Sequence, residues 1–158
     1  MKKAIILFIF LSNLFASYAQ TDDAEPRPYI NKHFCIILST KSYTEANKIA
    51  IQASKLFKIK LDYRDLLPNK KIGLTLSKTD CEAQSWEFPA YYSRGRDDDG
   101  EYISIEYSNA FSGYTKGYYI VVVASGNKIE TNKTLLKVKK KYKTAYVKQS
   151  EVYVGCMH

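Results

Sequence analysis

The densest group of chemically active side chains in this sequence is an acidic run, Asp97-Asp98-Asp99-Gly100-Glu101. Carboxylates in series suggest a calcium loop, in which oxygens at alternating positions wrap around the ion. Here the acids are consecutive, and no distal bidentate glutamate follows in register. The Asp-Gly step instead favours a hairpin turn, because glycine tolerates positive φ. The run therefore predicts the tip of a β-hairpin between segments 91–96 and 101–107, and no metal site.

Cys35 and His33 come closest to a nucleophilic pair. They lie two residues apart in an apolar stretch and would project from the same face of a strand. Cysteine catalysis also needs a third group that orients the imidazole, and the sequence supplies none. It contains no glycine-rich phosphate loop and no Gly-x-Ser-x-Gly motif. We therefore predict a protein that is not an enzyme and that needs no cofactor.

Tyrosine and cationic side chains are the more promising groups. The sequence holds 14 tyrosines, and a tyrosine ring offers sugars or protein partners a flat apolar face with a hydroxyl at its edge. Tyrosine is also a good strand residue, so a β-rich chain would contain many for structural reasons alone. The candidate substrate-binding residues lie on the predicted hairpin and on the last predicted strand: Tyr91, Tyr92, Arg94, Arg96, Tyr146 and Lys148.

Residues 1–19 have the pattern of a secretory signal peptide. Lys2 and Lys3 precede an apolar run, and small residues lead to a cleavage position before Gln20. The apolar run is too short to anchor the chain in a bilayer, and no later segment approaches the roughly 20 apolar residues that a span requires. We expect an exported protein, periplasmic or secreted, with no transmembrane segment. Despite the net charge of +8, an exported chain makes nucleic acid an unexpected partner.

The segments on either side of a central insert have the same order of strand, helix and strand. In the first, apolar residues 34–38 precede a helix that Ser42 and Glu45 cap, and 59–63 then alternates as a strand does. In the second, 119–123 precedes a helix that Asn127 and Glu130 begin, and 144–154 reads as a strand. The two segments align without a gap when Phe34 is placed on Tyr119. We interpret them as an internal β-α-β repeat.

Two β-α-β units in one small chain predict an α+β fold of the ferredoxin-like kind, a β-α-β-β-α-β antiparallel sheet with two helices on one face. We expect a flexible leader at 20–32 and a single domain at 33–158, with an inserted hairpin segment at 65–117. The first and last strands would be antiparallel neighbours, which brings Cys35 near Cys156. That pair is the preferred disulfide in an oxidising compartment, and pairing of either residue with Cys81 is the alternative.

The second half of the chain also resembles a known family. Residues 118–125, the capped basic helix after them, Tyr142 and the strand 145–147 resemble one half of a SPOR domain, and residues 34–63 look like the other half. SPOR domains are small β-α-β-β-α-β domains of bacterial envelope proteins that bind peptidoglycan and favour glycan strands stripped of their peptides. The resemblance implies a SPOR-like fold and a binding role with no catalytic group.

The SPOR family binds glycan on the open face of its sheet, and this sequence predicts that the equivalent face is covered. Both central predicted strands are apolar on both faces, and such strands require cover on both sides. The helices would cover one face. The aromatic residues of the insert would cover the other and move any binding site to the insert or its margin: Trp86, Phe88, Tyr91 and Tyr92. Exposure of Ile37 and Val122 would contradict this expectation.

The sequence thus predicts an exported, non-enzymatic binding module of the cell envelope, with peptidoglycan glycan strands as the expected ligand. Ring-on-sugar packing and cationic groups facing muropeptide carboxylates would provide the contacts. The alternative is a periplasmic or secreted protein-interaction module, such as an inhibitor or an immunity-type protein, whose partner is an envelope protein.

Overall fold

The computed structural model describes residues 28–156. The predicted signal peptide at 1–19 and most of the predicted leader lie outside this part of the chain. The described part has an α+β architecture, with a four-stranded antiparallel sheet, a separate two-stranded sheet and three α-helices. Across residues 28–156, none of the helices has the length and apolar character needed to cross a membrane.

The two long helices each follow a long strand of the main sheet. Strand β1 (Tyr29–Thr40) leads into helix α1 (Tyr43–Phe57), and strand β5 (Tyr119–Gly126) leads into helix α3 (Lys128–Val138). The elements between and after them are β2 (Leu67–Asn69), β3 (Gly73–Thr75), α2 (Lys78–Ala83), β4 (Ser104–Tyr107) and β6 (Tyr146–Tyr153). The main sheet has the order β4-β5-β1-β6, and β2 pairs only with β3. This sheet is compatible with a ferredoxin-like fold.

The two long helices begin with the same kind of cap, as the repeat predicts. Ser42 Oγ accepts a hydrogen bond from the Glu45 amide at 3.2 Å, and Asn127 Oδ1 accepts one from the Glu130 amide at 3.0 Å. Each bond satisfies an amide that the first turn of a helix leaves without a partner. A hydrogen bond between a side chain and the amide three residues later therefore marks the start of both helices.

The edge strand of the main sheet beside β5 comes from the insert, whereas the sequence predicts it at 59–63. That position beside β5 is held by β4, which pairs from Ser104↔Val122 to Tyr107↔Tyr119. The 59–63 segment makes only one parallel bridge, between Leu61 and Ile103 just before β4. Because β4 already forms the hydrogen bonds along this edge of β5, the segment 59–63 does not pair with β5 and instead meets the residue before β4.

Both faces of the main sheet are covered, as the doubly apolar strands predict. Ile37 and Val122 are 3% and 0% exposed. On one face the core includes Ala46, Ala50 and Ala53 of α1, whose small side chains let this helix lie close to the sheet. Val138 of α3 belongs to the same core. On the other, Phe34, Ile36 and Val122 lie in a second core with Phe111 and Tyr114.

The residues that cover the second face differ from those expected. Phe111 packs edge-on against Phe34 with ring centroids 5.0 Å apart, and it comes from the connector between β4 and β5. Trp86, Tyr91 and Tyr92 instead pack against the core on the helix side, and Phe88 is exposed. The cover therefore comes from the insert, as predicted, but from its last residues.

The predicted Cys35–Cys156 disulfide is wrong. Strand β1 begins at Tyr29, before the expected start at His33, and Tyr29 pairs with Tyr153 while Cys35 pairs with Val147. Cys156 follows the far end of β6, so at roughly 3.3 Å per strand residue it lies well beyond the ~7 Å that the Cα atoms of a disulfide can span. Cys35 and Cys81 are buried free thiols, and Cys156 is an exposed one.

Candidate functional site

A buried ion pair lies beneath the residues that the sequence singled out. Arg64 Nη1 donates to both carboxylate oxygens of Glu106 at 2.8 Å, and the two side chains are 6% and 0% exposed. Burial alone would lower the pKa of Arg64, but the Glu106 carboxylate raises it well above its usual value. The Tyr91 hydroxyl donates to Glu106 Oε2 at 2.5 Å, and burial followed by the nearby carboxylate raises the pKa of Tyr91. Tyr91 therefore stays a hydrogen-bond donor to Glu106.

Arg94 is completely buried and fastens its loop to the sheet. Its Nε donates to Ser125 Oγ at 2.9 Å, its Nη1 to the Tyr102 carbonyl at 2.8 Å and its Nη2 to the Gly100 carbonyl at 2.9 Å. The guanidinium also lies 3.5 Å from the centroid of the Tyr102 ring. Burial lowers the pKa of Arg94, and the carbonyl and hydroxyl dipoles replace the water that the cation has lost. A buried side chain of this kind supports the loop and is out of reach of a ligand.

The same contacts explain why the expected hairpin at 91–107 does not form. Residues 91–96 are not a strand, and Gly100 pairs with Ser125 of β5 instead. The Gly100 carbonyl accepts from both Arg94 and the Ser125 amide, the Tyr102 carbonyl accepts from Arg94, and residues 104–107 pair with β5. The acidic turn is held to β1 by an ion pair between Asp99 and Lys32. Within residues 28–156, no group of three or more His, Cys, Asp or Glu side chains is arranged to hold a metal ion.

Three of the predicted contact residues, Tyr91, Tyr92 and Arg96, meet at one cavity, which we call the Arg96 pocket. It has a volume of about 410 Å³, and its other lining residues are Ser93, Ala110, Tyr153 and Cys156. This volume lies within the range of small-molecule binding sites.

Arg96 is the chemically distinctive group in this pocket. Its Nη2 donates to the Gly155 carbonyl at 3.0 Å, which fixes the position of the guanidinium. Its Nε and Nη1 are buried but have no hydrogen-bond partner among the residues that the structure describes. Asp97 Oδ1 lies 3.3 Å from Nε as an ion-pair neighbour, and the Asp97 side chain is 69% exposed. A buried donor without a partner costs about 1–3 kcal/mol, so an acceptor that entered the pocket would remove this cost.

The tyrosines of the pocket have their hydroxyls already engaged. Tyr91 donates to Glu106, Tyr92 to the Arg64 carbonyl at 3.3 Å, and Tyr153 to the Cys156 carbonyl at 3.0 Å. The Tyr92 ring also lies under the Arg64 guanidinium, 4.4 Å from ring centroid to the guanidinium carbon. The walls are therefore fixed in place before any ligand arrives.

The remaining candidates, Tyr146 and Lys148, lie on β6 away from these lining residues. Lys148 Nζ donates to the Gly113 carbonyl at 2.7 Å and lies 4.4 Å from the centroid of the Tyr114 ring. Burial raises the pKa of Tyr146. Lys148 therefore supports the connector that covers the second sheet face, and neither Lys148 nor Tyr146 lines the Arg96 pocket.

A second cavity of about 410 Å³ lies between the acidic turn and the start of α3, and the sequence analysis did not anticipate it. Among its charged side chains, Glu101 forms an ion pair with Lys137, and Asp99 forms one with Lys32 of β1. Glu101 accepts from Thr134 and from Lys137, and these bonds, led by that of Thr134, lower the pKa of Glu101. Because none of the lining side chains of this cavity has a buried polar atom without a hydrogen-bond partner among residues 28–156, Arg96 makes the other pocket the better candidate site.

The sequence did not predict four of the lining residues: Ser93, Ala110, Tyr153 and Cys156. The sequence signal for Tyr153 was its position near the end of the last predicted strand. In the structure, β6 pairs with β1, and the Gly155 carbonyl that follows β6 accepts a hydrogen bond from Arg96. No protein-family model, no curated protein and no solved structure matches this chain.

Proposed function

We propose that the protein is an exported, non-enzymatic binding module of the bacterial envelope, with a SPOR-like plait enlarged by the insert at 65–117 and with peptidoglycan as its target. The observation that carries the proposal is the Arg96 guanidinium in a pocket that tyrosines line: residues 28–156 leave its Nε and Nη1 without a hydrogen-bond partner, and Nε has Asp97 as an ion-pair neighbour. A charged donor and flat aromatic rings are the groups that recognise sugars with acidic substituents.

The covered sheet supports a binding site at the margin of the insert. In SPOR domains the glycan lies on the open sheet face, but here Phe111 and Tyr114 share a buried core with that face. Of the two cavities described above, the Arg96 pocket is the one whose lining includes donors without a hydrogen-bond partner among residues 28–156. Its walls are held by hydrogen bonds to the protein itself, so little side-chain entropy is lost when a ligand binds.

Sedimentation with purified sacculi tests this proposal. We expect the protein to bind sacculi and Arg96→Gln to weaken that binding about tenfold or more, because hydrogen bonds to charged groups contribute about 1.5–3 kcal/mol. Lys148→Gln is the matched control, since it removes one positive charge outside the pocket and should leave binding within about twofold. Equal binding by the wild type and Arg96→Gln would contradict the proposal.

The second candidate is a protein-interaction module of the inhibitor or immunity type. It is favoured by the exposed pair Tyr29 and Tyr153, whose ring centroids are 5.3 Å apart, since Tyr153 also lines the pocket. Tyrosine and arginine are the residues enriched at binding hot spots of protein interfaces. Such a module would ignore sacculi and would elute with one envelope protein in a complex of defined stoichiometry that Arg96→Gln abolishes.

A further inference from the structure

We infer that the outer face of α3 docks on a membrane surface that contains anionic phospholipid. Four exposed residues form this face, which we call the outer stripe: Ile129, Lys133, Leu136 and Lys140. Docking through the outer stripe goes beyond the proposed function and does not depend on it, because the residues that line the Arg96 pocket lie outside α3.

The outer stripe follows from the helical repeat. Its residues recur at intervals of four, three and four, which places them on one side of a helix with 3.6 residues per turn. Lys140 comes just after α3 ends, but the chain keeps its helical turn there, since the Tyr142 amide donates to the Val138 carbonyl at 2.9 Å. The buried residues of α3 include Thr131, Thr134 and Val138, which share the opposite side. The outer stripe therefore faces away from the core.

The apolar residues of the outer stripe are the most exposed large hydrophobic side chains among residues 28–156. Ile129 is 70% exposed and Leu136 is 72% exposed, whereas none of the others exceeds 53%. Single apolar residues scattered over a surface are normal, but these two lie on one side of one helix, with Lys133 between them. Transfer of such side chains from water to the acyl boundary of a bilayer is favourable.

The charge around the outer stripe selects an anionic surface. Lys137 pairs with Glu101, whereas Lys133 and Lys140 have no ion-pair partner in the part of the chain that the structure describes. Residues 131–150 contain no Asp or Glu and seven lysines: Lys133, Lys137, Lys139, Lys140, Lys141, Lys143 and Lys148.

Lysines that alternate with apolar residues fit the boundary between lipid headgroups and acyl chains. Each lysine near an anionic bilayer favours binding. Its methylene stem can lie along the apolar side chains while the ammonium reaches a phosphate. A soluble polyanion would be attracted by the lysines alone and would leave Ile129 and Leu136 in water. The outer stripe therefore favours a lipid surface over a polyanion.

Sedimentation with lipid vesicles tests the inference. We expect the protein to bind vesicles of phosphatidylglycerol and phosphatidylcholine in equal parts, and to bind phosphatidylcholine vesicles at least about tenfold more weakly. Lys133→Gln/Lys140→Gln should weaken binding to the anionic vesicles about 25-fold, at about fivefold for each lysine. Lys70→Gln/Lys71→Gln removes the same charge from the exposed turn between β2 and β3 and should change binding by less than about twofold at physiological salt.

Leu136→Gln separates insertion of an apolar side chain from attraction by charge. The substitution keeps the net charge, and we expect it to weaken binding to the anionic vesicles about tenfold, because the side chain no longer enters the acyl boundary. Leu67→Gln is the matched control, since Leu67 is 52% exposed on β2, and it should leave binding within about twofold. Both positions are on the surface, so both variants should keep the fold.

Equal binding to the two kinds of vesicle would overturn the inference, as would unchanged binding by Lys133→Gln/Lys140→Gln. Unchanged vesicle binding by Leu136→Gln would also overturn it and would indicate a surface that attracts polyanions by charge alone. If Leu136→Gln lost binding to sacculi but kept binding to vesicles, the outer stripe would belong to the wall-binding surface and the inference would be wrong.

Discussion

Glu106→Gln should be among the most damaging single substitutions in the protein. The side chain is fully buried and accepts hydrogen bonds from Arg64 Nη1, from the Tyr91 hydroxyl and from the Arg94 amide. The substitution keeps the shape but leaves the buried Arg64 cation without its carboxylate. Breaking a buried ion pair from one side costs about 3–5 kcal/mol, a large part of the roughly 5–15 kcal/mol by which domains are stable.

Urea unfolding followed by circular dichroism measures this loss. With a slope of about 2 kcal/mol/M, a loss of about 4 kcal/mol lowers the midpoint by about 2 M. Glu151→Gln, the same change on the exposed part of β6, should cost less than about 0.5 kcal/mol. The double variant Arg64→Met/Glu106→Leu should recover only part of the stability, because it leaves no unpaired charge but removes the acceptor of the Tyr91 hydroxyl and the Arg94 amide. A loss below about 1 kcal/mol for Glu106→Gln would refute the ion-pair argument.

Three further results are expected. Ellman's reagent should label Cys156 rapidly in the native protein and Cys35 only after unfolding, because burial raises the pKa of Cys35 to about 12; rapid native labelling of Cys35 would contradict the burial. The Cys35 thiol of the unfolded chain ionises near pH 9.0, so the free energy of unfolding should fall by up to about 1.4 kcal/mol per pH unit between pH 9 and 12. In urea titrations, Cys35→Ala should make this pH dependence less steep. Gly73→Ala should lower the unfolding midpoint strongly, because Gly73 has φ +87 and a Cβ there would overlap the Tyr107 ring; an unchanged midpoint would contradict the packing.

The features that the sequence predicted correctly depend on neighbouring residues. The caps of α1 and α3 are formed by a polar side chain and an amide three residues later, so Ser42 and Asn127 reveal both helix starts. The double-sided burial of the sheet follows from strands that are apolar at every position, and Val122 is buried accordingly. Both inferences need no knowledge of distant contacts.

The features that the sequence did not predict depend on partners far apart in the chain. Residues 104–107 alternate as a half-exposed strand does, yet Ser104 and Glu106 are buried because Arg94 and Arg64 reach them. Arg94 and Arg96 look alike in the sequence, and only the path of their loop makes one a buried support and the other a pocket residue. The alternating pattern at 59–63 could not show that β4 takes the edge of the sheet.

The most direct test of ligand binding at Arg96 is a map of amide chemical shifts as soluble muropeptides are added to the ¹⁵N-labelled protein. We predict that the perturbed amides cluster at 91–97 and 153–156, around the Arg96 pocket, and that Arg96→Gln removes these perturbations. Perturbations centred on the sheet, on α3 or on residues 146–148, with 91–97 unchanged, would contradict it.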